Sequence, residues 1–254
     1  MRHPDDYPRV ALVTGAALRV GRAIALDLAS TGWALAVHYN SSAAAAEELV
    51  QAIEAEGGRA VALAADLARE DQSAALIGRT VDALGAPGLL INNASVFEPD
   101  LLENATRESW DRHLEPNLRA PFVLTQSFAA ALPATAGGLV VNILDERVLN
   151  LPGNCLSYSL SKAGLWALTQ SLAAPLAPRI RVNGIGPGFT LPERGRSQAE
   201  FDDAVAQLPL GRGTSPAEIC QAIRFLLACK SITGQMIALD GGQHLAQRRQ
   251  DRSE

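Results

Sequence analysis

The sequence predicts one α/β domain: a parallel sheet of seven strands covered by helices on both faces. Three observations carry that expectation. Short apolar runs alternate with longer alanine-rich segments of helical character from Arg9 onward, which is the rhythm of βα units. The 254 residues hold 48% hydrophobic and 19% charged side chains without a linker-like stretch, enough apolar material for one large core and no signature of disorder. A glycine-bearing turn also stands directly between the first strand and the first helix.

That first strand is the run Arg9 to Thr14, followed by Thr14-Gly15-Ala16-Ala17-Leu18-Arg19-Val20-Gly21 and a helix from Val20 to Ser30. A glycine pair alone often marks a simple turn. In a strand–turn–helix setting, however, it brings backbone N–H groups and the positive end of a helix against a pyrophosphate. Gly15, Val20 and Gly21 are therefore candidate dinucleotide contacts, and the Arg19 guanidinium can fork onto a phosphate. The second strand, Trp33 to His38, runs into His38-Tyr39-Asn40-Ser41-Ser42 and a helix from Ala43 to Glu56. No carboxylate stands where one would bind a ribose 2′-hydroxyl, whereas Ser41 and Ser42 can donate to a 2′-phosphate, so NADP(H) is expected over NAD(H). His38 and Asn40 belong to the same candidate set. The serines also suit the N-cap of the next helix, and the two roles are compatible.

The alternation continues through a strand at Arg59 to Ala64, a helix at Glu70 to Leu84, a strand at Gly88 to Asn92 and one long helix from Glu108 to Leu132. A strand at Gly138 to Leu144, a helix at Ser157 to Leu176 and a strand at Arg179 to Ile185 follow, then a helix at Pro216 to Cys229 and a strand at Gln235 to Leu239. Residues 186–213 break the rhythm with glycines, prolines and a short amphipathic piece, Gln198 to Gln207. The part 189–213 reads as a lid over a substrate site. The polar, charged residues 247–254 read as a flexible tail.

The net charge of −5, from 22 basic and 27 acidic side chains, contains no extended block of one sign, so neither nucleic acid nor a membrane surface is expected as a partner. The first residues carry no long apolar stretch, and the expected location is the cytoplasm. Cys155, Cys220 and Cys229 lack metal-ligand spacing; reduced thiols in the core are expected, and no metal site.

Tyr158 and Lys162 stand at i and i+4 on one predicted helix face. There a lysine charge would lower the tyrosine pKa and make the phenol a usable acid. With the glycine turn, Asp66-Leu67 after the third strand, Asn92-Asn93-Ala94 after the fourth, Asn117 and Pro187-Gly188, the pair makes nearly the whole chain resemble the short-chain dehydrogenase/reductase family. The resemblance implies a Rossmann-type doubly wound fold. It further implies that Tyr158 donates a proton, that Lys162 assists it and binds the nicotinamide ribose, and that Asn117 supports a water relay. Asp66 and Leu67 would lie near the adenine, Asn93 and Ala94 would line the cofactor, and Pro187-Gly188 would wrap the nicotinamide. Tetramers are implied too, with the helices near 108–132 and 157–176 at one interface and the C-terminal segment at another.

The family usually carries serine thirteen residues before the tyrosine, and here that position is Asp145. An ionised carboxylate donates no hydrogen bond to a ketone, so it suits a substrate with basic nitrogens. Asp145, Arg19 within the turn, His38-Tyr39 with the serines, Ser95 where glycine is usual and Gly186-Pro187-Gly188 together resemble the pteridine reductases. That resemblance implies Phe97 stacking on a pterin, Ser95 bonding cofactor or substrate, and Asp145 working with Tyr158 in protonation. Phe97 can equally be core filling, Ser95 a turn residue and Asp145 a loop-fixing carboxylate. The functions in view are thus reduction of a pterin-like C=N bond, reduction of a ketone such as a 3-oxoacyl thioester, and an NADPH-binding sensor with little turnover.

Overall fold

The computed structural model describes residues 7–192, 195 and 197–250. Seven parallel strands form one sheet: β1 (Val10–Val13), β2 (Ala34–Tyr39), β3 (Ala60–Ala64), β4 (Leu89–Asn92), β5 (Gly138–Ile143), β6 (Ile180–Pro187) and β7 (Met236–Leu239). Their spatial order is β3-β2-β1-β4-β5-β6-β7, the doubly wound arrangement predicted. The order reverses between β1 and β4, where an open α/β sheet leaves a crevice beyond the carboxyl ends of its strands.

Strand periodicity sorts the core into two layers, because successive side chains face opposite sides of the sheet. Ala11 and Val13 join Ile24, Leu28, Ile219 and Ile223 in one cluster, under α1 (Arg19–Ser30), α2 (Ala43–Ala55) and, further along the chain, α8 (Pro216–Ala228). Leu12 points the other way, to Leu76, Ile77, Leu124 and Phe128 on α3 (Glu70–Leu84) and α5 (Ala120–Ala131), with Ala173 of α6 (Leu156–Leu176). Burying each such Leu, Ile or Phe contributes about 1.5–3 kcal/mol. The start of α8 is set by local chemistry: Ser215 accepts from the Glu218 N–H, the Glu218 carboxylate accepts from the Ser215 N–H, and Pro216 occupies the first turn.

The single long helix expected from Glu108 to Leu132 is instead α4 (Arg107–Leu114), a π turn (Glu115–Arg119) and α5. Pro116 and Pro121 explain the break, since each lacks an N–H and crowds the preceding turn. The Ala120 N–H reaches back to the Glu115 carbonyl, closing the wider ring. Two short elements follow no apolar pattern and carry no signal in the sequence: a 3₁₀ turn (Glu146–Leu149) and α9 (Gln243–Gln250). The backbone of 243–250 is therefore helical where a tail was read from 247, and 251–254 lie outside the described residues. Within 189–213, α7 (Gln198–Ala206) forms on the amphipathic piece, capped by Ser197; residues 193, 194 and 196 lie outside the described set. Among the described residues no helix is long and apolar enough to cross a membrane.

Candidate functional site

A cleft of about 670 Å³ runs along the carboxyl ends of the strands. Of the candidate residues, Gly15, Arg19, Val20, Gly21, His38, Asn40, Asp66, Leu67, Asn93, Ala94, Ser95, Phe97, Tyr158, Lys162 and Pro187 line it. Asp145 and Gly188 line a smaller adjoining cavity, shared with Arg19, Phe97 and Tyr158. Ser41, Ser42 and Asn117 are in neither wall.

The glycine turn is shaped by close approach. Gly15 has φ +62°, and a Cβ on Gly21 would meet the Gly15 carbonyl at 2.2 Å, so both positions exclude larger residues. The Thr14 hydroxyl donates to the Ile91 carbonyl (3.3 Å) and accepts from the N–H groups of Asn93 (2.9 Å) and Ala94 (3.0 Å). The Asn93 amide donates to the carbonyls of Thr14 (2.8 Å) and Gly15 (3.2 Å). Asn93 thus holds the loop as well as lining it.

His38 fastens the turn from the other side. Its Nδ1 accepts from the Gly15 N–H at 3.0 Å, which leaves the proton on Nε2 to be donated to the Ala65 carbonyl at 3.0 Å. Burial holds its pKa down to about 4, so the neutral ring is the working state. Both ring nitrogens are engaged within the protein; His38 borders the cleft without a nitrogen to offer it. Ser42 stands at the N-cap of α2 but makes no side-chain cap bond, contrary to the capping role expected. Arg19, read as a phosphate ligand, has φ +53° and donates to the carbonyls of Leu191 (3.4 Å) and Pro192 (3.0 Å) across the cleft.

At the far end the Tyr158 hydroxyl donates to Asp145 Oδ2 at 2.7 Å. Lys162 donates not to the phenol but to the Ile143 carbonyl (2.8 Å), with its nitrogen 5.9 Å from the centre of the Tyr158 ring. The expected lowering of the tyrosine pKa is therefore reversed. Burial, then the charge and bond of Asp145, hold the phenol well above its ordinary value, while burial draws Lys162 down to about 8. A neutral, proton-bearing phenol on a carboxylate is the outcome. Asp145 also accepts from the Arg147 N–H at 2.9 Å, so its loop-fixing role is real and leaves the second oxygen for Tyr158.

Asn117 sits buried on the π turn. It accepts from the Val96 N–H (2.8 Å) and donates to the Val96 carbonyl (2.9 Å) and the Ser161 hydroxyl (3.1 Å), so it positions the wall carrying Ser95 and Phe97 from behind. Phe97 is 38% exposed, which excludes core filling. Its ring meets Tyr158 edge-on, centroids 4.7 Å apart, and carries the Arg147 guanidinium at 5.3 Å. Ser95 is an exposed wall residue. Glu146, Arg147 and Gln243 also line the smaller cavity, and no motif in the sequence marks them. Their polarity beside Asp145 and the last strand was the one available signal.

The fold and this arrangement define a dinucleotide-binding type of oxidoreductase site, and comparison with known proteins agrees. A family model described as Enoyl-(Acyl carrier protein) reductase matches residues 15–244, and the chain belongs to the short-chain dehydrogenase/reductase family. It is similar to the FolM alternative dihydrofolate reductase 1 of Brucella canis, crystallised with NADP: 44% identity, TM-score 0.90, 93% of this chain and 94% of that one. A blue fluorescent protein from a metagenomic library, in complex with NADPH, matches at 32% identity and TM-score 0.86 over 92% of this chain and 96% of that one. The 3-oxoacyl-[acyl-carrier-protein] reductase of Synechocystis sp. is 35% identical over 92% of this chain and 96% of its own length.

Proposed function

We propose that the chain is an NADP(H)-dependent reductase that adds hydride to a C=N bond of a pterin-like substrate, a dihydropterin or dihydrofolate. The observation that carries this reading is the Tyr158–Asp145 hydrogen bond at 2.7 Å. Where the family usually has a serine to donate to a ketone, this site has an acceptor that keeps a phenol loaded with its proton. A substrate nitrogen with a lone pair suits that arrangement better than a carbonyl oxygen.

The cleft fits a dinucleotide. The contacts a Cβ would make at Gly15 and Gly21 leave backbone N–H groups at the start of α1 for a pyrophosphate, and the exposed Ser41 beside Ser42 offers donors to a 2′-phosphate. The Brucella protein's NADP and the metagenomic protein's NADPH support the same choice. Asp66 and Leu67 fall at the adenine end, Asn93 to Ser95 along the middle, and Lys162, Pro187 and Gly188 at the nicotinamide end. The cofactor, when bound, supplies the hydride. Tyr158 holds the proton for the substrate nitrogen, Asp145 keeps the phenol oriented, and Phe97 offers a ring face to a flat heterocycle on the side away from Arg147. The 189–213 segment serves as the lid. A tetramer belongs to the same reading, supported by the exposed Trp110 and Leu160 on α4 and α6.

The similarity to the Synechocystis reductase favours a second reading, reduction of a 3-oxoacyl thioester with Tyr158 as acid. NADPH oxidation with dihydrobiopterin, dihydromonapterin, dihydrofolate and a 3-oxoacyl thioester in parallel separates the two. Turnover of a dihydropterin or dihydrofolate supports the proposal; turnover of the thioester alone replaces it with the second reading.

A further inference from the structure

Past the Tyr158–Asp145 pair, Glu146, Arg147 and Gln243 line the smaller cavity of about 180 Å³. Among the described residues Glu146 Oε2, Arg147 Nη1 and Gln243 Oε1 are buried without a hydrogen-bond partner, and all three residues line this cavity. Glu146 is 1% exposed. Its turn packs against α6, which carries Tyr158, and against α9, which carries Gln243. Burial, then the charge of Asp145, pushes the Glu146 carboxyl up to about 7, as expected of an acid deprived of donors.

Unanswered buried polar atoms are scarce in folded proteins, and each costs its full desolvation. Three around one cavity beside reacting groups describe a ligand by complement. Two acceptors, one on a carboxyl, call for adjacent N–H donors, and the guanidinium calls for an oxygen acceptor. A cyclic acylguanidine, the 2-amino-4-oxo edge of a pyrimidine-fused ring, presents that combination on one flat side.

We propose that Glu146, with Gln243 and Arg147, reads the 2-amino-4-oxo edge of the substrate ring and is the specificity site of this enzyme. The proposal rests on the pterin reading above and deepens it. The carboxylate of Glu146 takes the amidine N–H groups, Gln243 Oε1 takes a further N–H, and Arg147 donates to the ring carbonyl. Asp145 remains with Tyr158 and takes no part in this recognition.

Titration calorimetry of the NADP⁺-saturated protein with pterin and with lumazine, the same ring bearing oxo in place of the 2-amino group, tests it. Wild type is expected to prefer pterin at least about tenfold, the scale of one charge-assisted hydrogen bond. Glu146→Gln is expected to bring the two rings within about threefold, with NADP⁺ affinity unchanged. Gln243→Met, on a different element, is expected to reduce the preference and carries the test if Glu146→Gln does not fold. Pterin bound without preference over lumazine, or a preference that survives both substitutions, overturns this proposal and leaves the pterin reading standing. Failure of wild type to bind either ring overturns both.

Discussion

At the carboxyl end of β1 the hydroxyl of Thr14, the amide N–H groups of Asn93 and both ring nitrogens of His38 are bonded within the protein. At the end of β5, Asp145, Glu146 and Arg147 place three ionisable groups in consecutive positions and leave two of their polar atoms unanswered. The first turn is held by these internal bonds, which suits a site that must present backbone to a phosphate without reorganising. The second carries a standing electrostatic cost that a ligand can relieve, which is the pattern of a site that recognises.

The sharpest way to break this contrast is at its seam. Tyr158→Phe removes the donor to Asp145 Oδ2 and is expected to lower turnover about 10³-fold, while changing NADPH affinity, read by cofactor fluorescence, much less. Comparable losses of affinity and rate would show the phenol to be part of the cofactor cradle instead.

Acid titration probes the two turns with opposite signs. His38 has a folded pKa of about 4 against an ordinary 6.5, so the unfolded chain takes the proton first. Its contribution is fully present above pH 6.5 and is lost as pH falls toward 4, about 3 kcal/mol over the whole window. Urea unfolding of a Glu146→Gln variant at pH 7.5 and pH 5 should show that loss, and adding His38→Asn to it should flatten the difference. Glu146 runs the other way. Its folded pKa of about 7 against 4.5 means the folded state holds the proton first, so its contribution weakens as pH rises from 4.5 through 7. Burial raises that pKa most, Asp145 and Asp240 add to it, and Arg147 opposes them. The two slopes nearly cancel in the wild type, and each single variant uncovers the other.

Glu146→Met should therefore stabilise the protein at pH 8, by about 1–2 kcal/mol in the same unfolding assay, because it removes a buried carboxyl with an unbonded oxygen whose burial outweighs the attraction of Arg147. Destabilisation would mean the turn satisfies that carboxylate after all. The smallest effect is expected from Ser42→Ala. Without a cap bond to lose, it should alter stability by less than about 0.5 kcal/mol and yet lower the preference for NADPH over NADH in steady-state kinetics.

Much of the cofactor half was legible in the sequence, because the Gly15–Gly21 turn, the missing carboxylate after β2 and the Tyr158/Lys162 spacing are local patterns with local causes. Asp145 was legible as a departure from a family habit. What escaped depends on contacts distant in the chain. Lys162 beside Tyr158 in sequence said nothing of the Ile143 carbonyl that claims its ammonium. The fastening role of His38 needs Gly15 and Ala65 brought to it. Glu146 and Arg147 looked like ordinary turn charges, and only folding shows that one of them is buried beside Gln243, almost a hundred residues later.

The π turn between α4 and α5 has a consequence for evolutionary tolerance of length. Each added residue rotates a helix by about 100°, so the widened ring resets the phase between a helix that packs on α6 and one that packs on α3. Removing one residue from 115–119 would restore ordinary pitch at the cost of turning Asn117 away from Val96 and Ser161, or α5 away from α3. One surplus residue lets a continuous helical run meet two neighbours with different faces, and a deletion there cannot be repaired by substitution.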